Sequence, residues 1–96
     1  MIENHYASNS AVGMLQEAAE TLKQRAILRD TPEGERSMAR CVEAFNAMYG
    51  AELTEEQGWM FMVMLKAARS AIGQPHPDDY VDGAAYFALA GESAIK

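Results

Sequence analysis

The sequence predicts an all-α protein, a small antiparallel bundle of about four helices. Three observations carry that prediction. Apolar residues recur at three- and four-residue spacing through each long segment. Residues suited to helix starts precede those segments, and Gly or Pro follows them. No stretch shows the two-residue alternation of a half-buried strand.

The first nine residues are polar and are expected to be loose, with a single helical domain over residues 10–96. Ser10 is placed to cap a helix running to about Leu28, in which Val12, Leu15, Ala19, Leu22 and Ala26 make one apolar stripe. Asp30-Thr31-Pro32-Glu33 reads as a restart: Asp30 or Thr31 can accept backbone N–H bonds, and Pro32 suits a first turn. Met38, Cys41, Val42, Phe45, Met48 and Tyr49 follow at helical spacing, and Gly50 is a natural stop.

Thr54-Glu-Glu-Gln57 has the spacing of a capping box and opens a third helix, to about Ala71. From Trp59 to Leu65 that helix is apolar on nearly every side, which predicts a central helix covered by the other three. Its Met60, Met62 and Met64, with Met48 before it, are expected mainly in the core. Pro75 and Pro77 forbid continued helix. A fourth helix is expected from near Asp78 to about Ala90, ended by Gly91, with a face of small residues that lets a neighbour approach closely.

Composition narrows the function. Of 96 residues, 49% are apolar and 23% charged, the balance of one folded globular domain. Eight Lys and Arg against a net charge of −6 leave no basic face for phosphates, so direct nucleic-acid binding is not expected. No apolar run approaches a membrane span, so no membrane partner is expected. One cysteine, Cys41, cannot form an internal disulfide or a cysteine-rich zinc site, and its apolar surroundings predict a core filler. A reducing cytoplasm fits that usage.

Two constellations of charge stand out. Lys66 and Arg69 sit three apart near the end of the third helix, and Asp79 and Asp82 three apart at the start of the fourth. Across a short loop they are placed to form an interhelical ion-pair network that sets the hairpin angle. Equally, the carboxylates have the chemistry to hold a divalent cation and the cations to hold a phosphate. Glu17-x-x-Glu20 on the first helix would complete a four-acid cage with Asp79 and Asp82 if the helices met; otherwise it is a solvated acidic face beside Lys23. His76 lies in the Pro-rich loop with no second histidine nearby, and no phosphate-binding Gly loop, nucleophile elbow or zinc spacing is present.

Asp30-Thr-Pro-Glu-Gly-Glu-Arg-Ser-Met, Ala44-Phe-Asn-Ala, Leu53-Thr-Glu-Glu-Gln-Gly-Trp59, Leu65-Lys-Ala-Ala-Arg69 and Asp78-Asp-Tyr-Val-Asp-Gly-Ala-Ala-Tyr86 resemble a pattern of small bacteriophage and prophage proteins of unknown function. That resemblance implies a phage origin and a host cytoplasm, and carries no activity. The acid pairs are also similar to those of MazG-like all-α nucleoside triphosphate pyrophosphohydrolases. That similarity implies Mg²⁺ held by Glu17, Glu20, Asp79 and Asp82. The chain departs from it with Asp in place of Glu at position 79 and with two whole helices between the pairs.

The expected function is therefore a small acidic accessory protein, phage-encoded, with no cofactor. It would bind a host or phage protein, as an inhibitor of a host defence or DNA-handling system. The alternative is a Mg²⁺-dependent nucleotide hydrolase. A homodimer is expected in either case, because a bundle this small gains from extra burial.

Overall fold

The computed structural model describes residues 6–28 and 37–95. They form four helices: α1 (Ala11–Leu28), α2 (Ser37–Tyr49), α3 (Glu55–Ser70) and α4 (Pro77–Ile95). No strand occurs among the described residues, and the all-α bundle predicted from periodicity is what forms. The Asp30-Thr31-Pro32-Glu33 restart lies outside the described residues.

Local chemistry accounts for most helix ends. Ser10 caps α1, its Oγ accepting from the Gly13 N–H at 3.0 Å and donating to the Ala7 carbonyl at 2.6 Å. Gly50, at φ 64°, closes α2, and the Ala51 N–H donates back to the Asn46 carbonyl at 3.2 Å. Asn46 also clasps Leu53, donating from Nδ2 to its carbonyl and accepting at Oδ1 from its N–H, each at 2.9 Å. That two-way bond fixes the turn into α3. Thr54 and Gln57 then make both halves of the capping box.

The helices pack as an open row. α3 lies along α4, α1 packs on α4 around Val81, Ala84 and Ala85, and α2 packs on α3. Two apolar clusters hold the row. Met38 and Val42 meet Trp59, Leu89 and Ala90, while Ala18 meets Val81 and Ala85. Leu22 touches both clusters. At Gly58 α2 packs tightly on α3: a Cβ there would lie 2.5 Å from Met38 Sδ and 2.8 Å from Val42 Cγ1. Trp59 stacks on Tyr86 with ring centroids 5.8 Å apart, and the Arg25 guanidinium lies 5.8 Å from the same Tyr86 ring.

Several sequence expectations are corrected here. α3 is not covered by the other three helices, since α1 packs on α4 instead. The expected α1 stripe holds only at its end: Leu22 packs on both clusters and Ala26 is half-buried, but Val12, Leu15 and Ala19 are exposed. Ala18, with Met14 and Leu22, faces α4, because Val81, Ala84 and Ala85 leave room for an alanine-to-alanine approach. Gly91 does not end α4, which continues to Ile95. One glycine costs a helix only about 1 kcal/mol relative to Ala, too little to stop a helix anchored by buried Leu89 and Ala90. Cys41 is exposed rather than core, because α2 buries only Met38 and Val42 against α3. The methionines divide: Met60 and Met62 pack against the core, whereas Met48 and Met64 are exposed.

Candidate functional site

The end of the α3–α4 hairpin forms an open cleft of about 520 Å³. Its walls follow from the register of the two helices. α3 contributes Lys66 and Arg69 from its last turns, α4 contributes Asp78, Asp79 and Asp82 from its first turns, and Ile72 and His76 close the loop side. The chain reverses after α3 with Gly73 at φ 73°, a conformation that L side chains rarely adopt. Pro77 opens α4 where its missing N–H costs nothing. The Asp79 N–H donates to the His76 carbonyl at 3.1 Å.

Antiparallel packing brings the charges together in two rungs. Lys66 Nζ lies 3.0 Å from Asp82 Oδ2, and Arg69 Nε lies 3.8 Å from Asp79 Oδ1. The rungs are unequal. Lys66 and Asp82 have side chains 15% and 27% exposed, so water screens that pair weakly. Asp79 is nearly buried at 9%, but its Arg69 partner is 64% exposed and stands beyond hydrogen-bond distance. Asp79 also sits in the first turn of α4, where the helix dipole favours a carboxylate. The Lys66 stem lies against α4 beside Gly83, where a Cβ would make an ordinary van der Waals contact with Lys66 Cβ at 3.7 Å.

Lys66, Arg69, Asp79 and Asp82 thus share one site, while Glu17 and Glu20 do not join it. Both glutamates are exposed on α1 and line no part of the cleft. Among the described residues, no group of three or more His, Cys, Asp or Glu side chains gathers to hold a metal ion. The four-acid cage of Glu17, Glu20, Asp79 and Asp82 is therefore not assembled among the described residues of one chain. Two cations and three carboxylates line the cleft, so charge there is close to balanced.

Sequence reasoning missed Ile72 as a lining residue, although it flanks the loop that the prolines mark. It also missed the long solvent-facing apolar surface. Phe61 is 66% exposed on α3, and Met48 and Tyr49 are 75% and 68% exposed on α2. The signal was present in the all-round apolarity of α3.

These features define a small all-α protein with an ion-paired interhelical cleft and several exposed apolar side chains on α2 and α3. None of its described helices is long and apolar enough to cross a membrane. The chain belongs to the DUF6378 family, described as a domain of unknown function, whose model matches residues 13–94. No curated protein matches the chain, and no solved structure does.

Proposed function

We propose that this chain is a dimeric, phage-encoded accessory protein of the host cytoplasm that acts by binding another protein. Its target would be a host defence or DNA-handling component. The observation that carries the reading is the exposed end of α2. Phe45 and Tyr49 pair there with ring centroids 4.8 Å apart, and Met48 beside them is 75% exposed. Aromatic and methionine side chains held together on an edge helix have the composition of an interface core. A net charge of −6 favours a partner with a basic surface around that patch.

The test is capture from the lysate of a bacterial host, comparing the wild-type chain with Met48→Glu and Tyr49→Glu. Both positions are exposed, so the variants keep their helical circular dichroism. A discrete protein retained by the wild type and lost from both variants is the expected result. Equal capture by all three sinks the proposal. The competing nucleotide-hydrolase reading is separated by melting the protein with Mg²⁺ and each nucleoside triphosphate. A ligand at a hundred times its dissociation constant adds about 2.7 kcal/mol, so a midpoint shift requiring both components would favour hydrolysis.

A further inference from the structure

Asp79 is the only polar or charged side chain buried among the described residues, at 8% exposure. A carboxylate out of water needs donors around it, and its two oxygens offer about four acceptor positions. Asp79 has no such shell. Among the described residues its carboxylate accepts no hydrogen bond, and its ionic contact, to Arg69 Nε, is 3.8 Å long. Asp82, one turn further along α4, differs: Lys66 Nζ stands 3.0 Å from it. A buried acceptor left without a donor calls for an explanation. Here it lines an open cleft, the one at the end of the α3–α4 hairpin.

We infer that this cleft is a binding site for a primary ammonium group, carried by a lysine side chain of another protein or by a free alkylamine, with Asp79 as its acceptor. Charge sets the sign of the ligand. Lys66 and Arg69 against Asp78, Asp79 and Asp82 leave one negative charge in excess among the described lining residues. Lys66 is committed to Asp82, so the excess falls on Asp78 and Asp79, adjacent in the first turn of α4.

Donor geometry sets the type. An ammonium is a compact charge with three N–H donors, enough to reach both Asp79 oxygens at once. A guanidinium is planar and bulkier, and that of Arg69 already stops beyond hydrogen-bond distance. Arg69 is a weak competitor, because its side chain is 64% exposed and an ion pair that open contributes little. The ligand's stem has a seat as well. Ile72 lines the same cleft and is 76% exposed, so a short alkyl chain can lie on it while its charged end meets α4. The cleft lies on the α3–α4 hairpin and not on α2, so this inference goes beyond the reading above and fails or holds independently of capture through Met48 and Tyr49.

The experiment is amide NMR on the full chain at constant ionic strength, titrated separately with butylammonium, tetramethylammonium and Mg²⁺. Butylammonium should shift the signals of Asp78, Asp79 and Asp82 saturably, with a dissociation constant on the order of millimolar. Tetramethylammonium has the same charge but no N–H, and should not. Equal shifts from both ammonium ions overturn the inference, as do shifts from Mg²⁺ with none from butylammonium. Asp79→Asn keeps the side-chain shape and should abolish saturation; undiminished binding by that variant, if folded, also overturns it. Arg69→Ala keeps the test decisive if Asp79→Asn unfolds. Removing the resident cation should tighten butylammonium by about two- to fivefold, the gain from releasing an exposed ion pair, and an unchanged affinity sinks the idea. Gly-Lys-Gly blocked at both ends separates the sources. Tighter binding than butylammonium assigns the site to a protein lysine, and equal or weaker binding to a free amine.

Discussion

At the scale of single residues, the two ion pairs of the cleft show how far geometry outweighs charge. Lys66–Asp82 has a hydrogen-bonding distance and limited solvent access, whereas Arg69–Asp79 is longer and half in water. A charged hydrogen bond with partly buried partners contributes about 1.5–3 kcal/mol, and an exposed ion pair typically under 1 kcal/mol. Asp82→Ala should therefore lower the melting midpoint by several degrees, and Arg69→Ala by little. Double-mutant cycles should give a larger coupling for 66/82 than for 69/79. Equal couplings would mean that solvent screening is not what separates the rungs. The sequence marked all four residues by their spacing. It did not reveal the unequal burial, which depends on how the two helices pack: Lys66 is 15% exposed and Arg69 64%.

At the scale of the element, two glycines in helices give opposite predictions. Gly58 stands where α3 meets α2, and a Cβ there presses on Met38 and Val42. Gly58→Ala gains helix propensity of roughly 1 kcal/mol, but overpacking of about 1–3 kcal/mol exceeds that gain. Net destabilisation is expected. Gly91 has open space around its Cβ position and sits inside α4, so Gly91→Ala should stabilise by about 0.5–1 kcal/mol. Denaturant titration of both variants checks the pair, and two shifts of the same sign would contradict the account. Helix starts were the more legible ends. Ser10 and the Thr54–Gln57 box carry their own partners in sequence, while Gly91 reads as a stop only when packing is ignored.

For the whole molecule, periodicity disclosed four helices but not which ones touch. The reason is visible in α1 and α3. Each carries apolar residues on more than one face, and sequence alone does not rank a stripe such as Val12–Leu15–Ala19 against the Ala18 face that α4 covers. The apolar belt of α3 was correctly noticed, yet it reads as a covered centre until the helix row shows one side bare. If the chain is a dimer, as proposed, stability depends on protein concentration. A hundredfold increase in chain concentration should raise the melting midpoint by roughly five to ten degrees, with calorimetry as the check. A midpoint independent of concentration would point to a chain stable alone.

The helix row also has a consequence for the order in which the protein is made. Among the described helices α1 packs on α4 alone, and Ala18 finds Val81 and Ala85 more than sixty residues further along the chain. While the polypeptide grows, α2 and α3 can already pair, through Gly58 and the Asn46–Leu53 clasp. α1 must wait with its apolar faces uncovered until α4 has left the ribosome. Closing so long a loop is slow relative to local helix pairing. The nascent chain therefore passes through a stage in which its first helix is the part that a chaperone or protease meets.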